Sequence, residues 1–93
     1  MKYRLKQTSQ FKKDYKLARK QGKNLDNLKA IVKMLENGKE LPKKCCDHEL
    51  KGDYKGYREC HVEPDWLLIY KKTESILLLT LFRTGSHSDL FKQ

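Results

Sequence analysis

A chain of 93 residues can build one small domain around one modest core, since a chain this short buries only about 60 to 65% of its unfolded surface. Its 38% hydrophobic and 35% charged residues, with five glycines and two prolines, suit a small globular domain better than a disordered chain; no run of 18 apolar residues exists to span a membrane, and no apolar signal core follows Met1-Lys2-Tyr3-Arg4, so the cytoplasm is the expected compartment. The net charge of +9 is lopsided, with 14 Lys/Arg against 4 Asp/Glu in residues 1–46 and 7 against 8 in residues 47–93, which points to a polyanion such as nucleic acid as partner, although a solvated lysine-rich surface has the same composition.

In chain order, Tyr3-Arg4-Leu5-Lys6-Gln7 alternates apolar with polar and predicts a strand with one wet face. Thr8 or Ser9 then caps a helix whose Phe11, Tyr15 and Ala18 share a face, while Lys12, Lys13, Lys16, Arg19 and Lys20 lie outside, up to a stop near Gly22. Asn24 caps a second helix with Leu25, Leu28, Ile31, Val32 and Leu35 on its core stripe, ended by Asn37-Gly38. Residues 39–52 lose periodicity and read as a loop that delivers His48.

Tyr57 to Val62 predicts a strand, Glu63-Pro64-Asp65 a tight turn, and Trp66 to Lys72 the returning strand. Ile76 to Arg83, apolar through Leu79, reads as a strand buried on both faces that Thr84-Gly85 ends. Ser86 and Asp89 form a capping box for a last helix from His87 to about Lys92. The expected fold is a single α+β domain over residues 1–93, in the order β-α-α-β-β-β-α, with two helices on a mostly antiparallel four-stranded sheet.

The second half holds all three histidines. His61 stands at the end of a strand, Asp65 in the turn beyond it and Trp66 at the start of the return. If Cys60 and Val62 face the core, the period of two turns His61 to the other face. Arg83 ends a neighbouring strand, and His87 follows through a short glycine turn. Histidine suits proton transfer near neutrality, and arginine presents a permanently charged fork to a phosphate. Together with His48 these residues have the parts needed to cut RNA without a metal: a base for the 2′-hydroxyl, a cation for the phosphorane and an acid for the leaving 5′-oxygen. Trp66, Phe91 or Tyr57 can stack on a base or serve the core.

Cys45, Cys46, His48, Cys60 and His61 are all zinc-ligand types, but there is no C-x-x-C pair, the vicinal pair suits one ion poorly, and alternation separates Cys60 from His61. No metal or other cofactor is expected. Three cysteines, two of them adjacent, do not make a disulfide framework, which fits a reducing compartment.

The stretches Asp47-His48-Glu49-Leu50-Lys51-Gly52, Gly56-Tyr57-Arg58-Glu59-Cys60-His61-Val62-Glu63-Pro64-Asp65-Trp66 and Arg83-Thr84-Gly85-Ser86-His87-Ser88-Asp89-Leu90-Phe91 closely resemble the YafQ branch of the RelE/ParE toxin superfamily, and the opening with Phe11-Lys12-Lys13-Asp14 fits it too. The resemblance implies a RelE-like fold and a toxin of a type II toxin–antitoxin pair, a ribosome-dependent endoribonuclease (mRNA interferase) that cuts mRNA in the ribosomal A site and so inhibits translation. The family's functional set falls on His48, His61, Asp65, Trp66, Arg83, His87 and Phe91. It further implies an antitoxin partner and binding of promoter DNA through the toxin–antitoxin complex.

On this basis His87 is expected as general acid, Asp65 with His61 on the base side, Arg83 as phosphorane clamp and His48 as the group that places or neutralises the phosphate; a swapped acid and base would use the same residues. The basic helix, through Lys12, Lys13, Lys16, Arg19 and Lys20, is expected to grip ribosomal RNA. Two other classes remain open, a ParE-like inhibitor that binds DNA gyrase and a non-catalytic basic RNA-binding module.

Overall fold

Residues 2–91 are described in the computed structural model. Thr8 opens the first helix, α1 (Ser9–Lys20), its hydroxyl accepting the Phe11 N–H at 3.0 Å, and Asn24 opens the second, α2 (Leu25–Glu36), by accepting from Asp26 N–H. These caps satisfy donors that a helix start leaves without partners. Gly22, at φ 75°, supplies the left-handed residue that lets the chain double back between the helices. The α2 stripe Leu28, Ile31, Val32 and Leu35 is buried as its spacing predicts, whereas α1 buries Phe11, Ala18 and, unexpectedly, Asp14.

The sheet is mixed and has five strands in the order β1-β5-β4-β3-β2. β1 (Arg4–Gln7) runs parallel to β5 (Leu78–Gly85), and β4 (Trp66–Thr73), β3 (Arg58–Glu63) and β2 (His48–Glu49) follow antiparallel. The α+β class, the element order around the helices and the mostly antiparallel pairing are as expected; the strand count is five rather than four. The extra strand, β2, is two residues long and too short to show a period. It is defined by its antiparallel pairing with β3, His48 opposite Glu59 and Glu49 opposite Arg58.

β5 also starts two residues later than its apolar run suggests. Glu74–Ile76 form a turn of 3₁₀ helix and Leu77 takes φ 49°, so the reversal out of β4 occupies residues that look like strand. Ile76 is consequently 56% exposed, and the segment buried on both faces is Trp66–Tyr70 of β4. Thr84 and Gly85 continue β5 rather than ending it. The third helix, α3 (His87–Phe91), carries the anticipated capping box, with Ser86 N–H donating to Asp89 at 3.2 Å and Asp89 N–H to Ser86 Oγ at 3.1 Å. Its expected end at Lys92 lies outside the described residues.

Two apolar clusters sandwich the sheet. Beneath α1 and α2 lie Cys60, Trp66, Leu68, Tyr70, Leu79 and Leu81; on the opposite face Leu67 and Ile69 meet Leu90 of α3, with Tyr54, Tyr57, Phe82 and Phe91 around them. Gly85 permits this closure, since a Cβ there would stand 3.1 Å from the Asp89 Cβ and 3.3 Å from a Leu90 methyl. Among the described residues no helix is long and apolar enough to cross a membrane.

Candidate active site

Strand alternation places the histidines. Cys60 is fully buried under the helices, so His61 points to the α3 side, paired across the ladder with Leu67. His48 pairs with Glu59 in β2–β3, and Glu59 and His61 are two apart on one strand, so His48, Glu59 and His61 share that face. Residue 87 begins α3 over the same end of the sheet. The imidazoles of His61 and His87 consequently stand edge to face with centroids 5.7 Å apart.

His87 is held twice by Asp65. One carboxylate oxygen accepts the His87 backbone N–H at 3.0 Å and lies 2.6 Å from Nδ1. A carboxylate only accepts, so Nδ1 carries the proton and Nε2 remains for other chemistry. The bonds from the His87 backbone and then its ring hold the Asp65 carboxyl below its ordinary value. Both side chains are open to solvent, His87 at 50% and Asp65 at 70%. The Pro64–Asp65 turn thus grips the start of α3 across the sheet.

His48 is oriented by a backbone carbonyl instead of a carboxylate. Its Nδ1 lies 2.6 Å from the Cys46 carbonyl, which requires Nδ1–H to donate, and its Nε2 lies 3.5 Å from Glu59. Cys46 makes that carbonyl available by adopting φ 50°. The adjacent Asp47 is anchored by Tyr70 Oη at 2.6 Å and Arg58 Nε at 3.2 Å, so the segment carrying His48 is tied to β3 and β4.

Arg83 lies where β5 outruns its neighbour. The β1 ladder ends at Gln7 opposite Leu81, and Thr8 adds bonds to Leu81 and Phe82. Beyond that point Asp14 of α1 takes over. It pairs with Arg83 through Nε and Nη2, both at 3.1 Å, and accepts the Thr84 N–H at 3.2 Å. The hydrogen bond to Asp14 raises the Arg83 pKa further above its ordinary value.

Of the aromatic candidates, Phe91 is partly buried and stands edge-on to Tyr54 at 5.7 Å. Tyr57 packs on Phe82 at 4.7 Å. Trp66 is 1% exposed, with Nε1 donating to Thr84 Oγ1 at 2.9 Å and the Lys23 ammonium 5.5 Å from its ring; in this arrangement it is a core residue with no free ring face for a base. Lys12, Lys13, Lys16, Arg19 and Lys20 are all exposed, as their helical spacing predicts. Cys45 and Cys60 are buried, and burial pushes both thiols up. Among the described residues no three His, Cys, Asp or Glu side chains converge as a metal ion would require.

Residues 3–92 match the family described as bacterial toxin of type II toxin-antitoxin system, YafQ. The chain belongs to the YafQ toxin family. The mRNA interferase toxin YafQ of Escherichia coli strain K12 is 48% identical to it over 85 residues, 90% of each chain. The crystal structure of YafQ from E. coli strain BL21(DE3) superposes with a TM-score of 0.90 at 44% identity, covering 96% of this chain and 98% of that one. YafQ in the E. coli DinJ-YafQ toxin-antitoxin complex gives 0.89 at 44% identity, covering 98% and 99%.

Within this YafQ-type scaffold, sequence reasoning passed over three carboxylates. Glu59 is 6% exposed and could have been found two residues before His61 on the same strand face. Asp47 could have been found only through its tertiary partners. Asp14 sits three residues after Phe11 and four before Ala18, on the apolar stripe of α1, where a charge is out of place.

Proposed function

We propose that this chain is the toxin of a type II toxin–antitoxin pair and an endoribonuclease that cuts mRNA in the ribosomal A site without a metal, in the cytoplasm. The observation that carries the reading is the Asp65–His87 pair at 2.6 Å facing the His61 ring at 5.7 Å, a pair of proton-transfer groups on one surface of the sheet.

In the mechanism, His61 removes the 2′-hydroxyl proton, the O2′–P bond forms as the P–O5′ bond breaks, and His87 delivers a proton from Nε2 to the departing 5′-oxygen. Asp65 holds Nδ1–H and so orients His87 with Nε2 free to carry the proton that is delivered, which puts its part on the acid side. Each proton transfer contributes roughly 100- to 10,000-fold. Arg83 stabilises the phosphorane charge, His48 neutralises the phosphate, and Phe91, on the rim of the same face, stacks on a base. Lys12, Lys13, Lys16, Arg19 and Lys20 bind ribosomal RNA. The half-exposed histidines leave room for the ribosome to complete the site by aligning the 2′-oxygen with the phosphate. An antitoxin binds and silences the toxin, and the pair binds its own promoter DNA.

Translating ribosomes with a defined mRNA test the reading. Cuts at fixed codon positions by the wild-type chain, absent with His87→Ala, are expected. Intact mRNA with blocked gyrase supercoiling would move the chain to the gyrase-inhibitor class, and intact mRNA with RNA binding alone to the non-catalytic class. For the metal-free chemistry, a phosphorothioate at the scissile phosphate of ribosome-bound mRNA is expected to be cut at the same rate whether or not a thiophilic divalent ion is added to the magnesium buffer; rescue by that ion would overturn it.

A further inference from the structure

Asp14 takes no part in the chemistry described so far, yet it is one of the most heavily bonded side chains in the molecule. Burying a carboxylate is costly unless donors surround it. At 8% exposure, Asp14 meets four: Arg83 Nε on Oδ2 and Nη2 on Oδ1, both at 3.1 Å, the Thr84 backbone N–H on Oδ2 at 3.2 Å, and Gln10 Nε2 on Oδ1 at 3.0 Å. The two bonds from Arg83 are the side-on fork that fixes the plane of a guanidinium as well as its position. They use one edge of the group and leave the Nη1 end outside the pair, and the side chain is still 25% exposed.

We propose that Asp14 is the positioning residue for Arg83, holding the guanidinium by its inner edge so that its remaining donors meet the scissile phosphate. The inference rests on the reading of Arg83 as the phosphate clamp. Two features of the fold make it more than a staple between a helix and a strand. The carboxylate acts where β5, still paired with β4 on one side, has outrun β1 on the other, so without Asp14 the Thr84 N–H loses its partner. Thr84 in turn accepts from Trp66 Nε1 at 2.9 Å and donates to the Leu67 carbonyl at 2.7 Å. One carboxylate on α1 therefore registers both the side chain of Arg83 and the strand end from which the chain runs on to His87.

The experiment is single-turnover mRNA cleavage on ribosomes by the wild-type chain, Asp14→Asn, Arg83→Ala and the double variant. Asparagine keeps the shape but turns one acceptor into a donor facing the guanidinium. Asp14→Asn is expected to slow cleavage at saturating ribosome by up to roughly 100-fold, the scale of a small misplacement of a reacting group, with the half-saturating ribosome concentration unchanged. Arg83→Ala loses at least as much, and the double variant is no slower than Arg83→Ala, because two residues acting as one unit are not additive.

Losses that multiply in the double variant, or a wild-type rate in Asp14→Asn beside an inactive Arg83→Ala, would overturn the positioning role. A wild-type rate in Arg83→Ala itself would overturn the phosphate-clamp reading and the inference with it, and is visible without any Asp14 variant. Should thermal melting show Asp14→Asn unfolded, Asp14→Glu repeats the cycle with the charge kept and the fork displaced by one methylene; slowing in the wild-type background but not in Arg83→Ala is expected, and a wild-type rate overturns the proposal.

Discussion

The two faces of the sheet are built for different work. Under α1 and α2, Trp66, Leu68, Tyr70 and Leu79 are essentially inaccessible, and the buried Tyr70 hydroxyl is satisfied by Asp47. Over the other face, a five-residue helix and a ring of partly buried aromatics cover only part of the surface, leaving His48, His61, Asp65 and His87 along an open margin. A residue facing the helices is coupled to many neighbours, so changing it alters stability. A residue on the open margin is held by one or two directed hydrogen bonds, so changing it alters chemistry.

The largest expected effect separates the two. His87→Ala removes a half-exposed side chain whose recorded contacts are Asp65 and the His61 ring; mRNA cleavage is expected to fall roughly 100- to 10,000-fold, while the melting temperature barely moves. Trp66→Ala is expected to behave the opposite way in equilibrium unfolding, losing about 3 to 5 kcal/mol as a buried aromatic is replaced by a cavity. If Trp66→Ala melted like the wild type and lost only cleavage, the ring would have to leave the core to stack on RNA, and the division between the faces would fail.

Much of this division was legible in the sequence. The helical stripes, the Pro64 turn and the capping box rest on local rules, and the placement of His61 opposite Cys60 follows from strand alternation alone. What escaped was tertiary. Leu77 adopts φ 49° with no glycine or asparagine to announce it, so β5 was expected two residues early. β2 is two residues long and is recognisable only by its pairing with β3. Asp14 is hidden among lysines, and its role depends on a strand end 69 residues away. Trp66 was legible as an aromatic beside the site, but not as one whose indole N–H is taken up by Thr84.

A smaller effect concerns the outer surface of α1, which faces away from the sheet. Reversing the charge of Lys12, Lys13, Lys16 and Lys20, all exposed, is expected to weaken ribosome association and flatten its salt dependence while leaving the unfolding free energy within about 0.5 kcal/mol per site. Cleavage at saturating ribosome is expected to survive. Association unchanged across a salt series would place the ribosome contact elsewhere.

The smallest effect tests the directed bonds themselves. The folded state holds the Asp65 carboxyl below its ordinary value, chiefly through the His87 backbone and ring, so the unfolded chain binds this proton more readily than the folded one. The resulting stability is fully present above the ordinary carboxylate range and is lost as pH falls through the lower folded value, where both states are protonated. Asp65→Asn is therefore expected to melt slightly below the wild type at neutral pH, with the two curves converging in acid. The gap is small because the side chain is 70% exposed and its charge is screened by water and salt. It should be narrowed further by salt. A gap that stayed constant through the acid range would mean that Asp65 holds α3 by shape rather than by charge, and its part in steering the His87 proton would lose its physical basis.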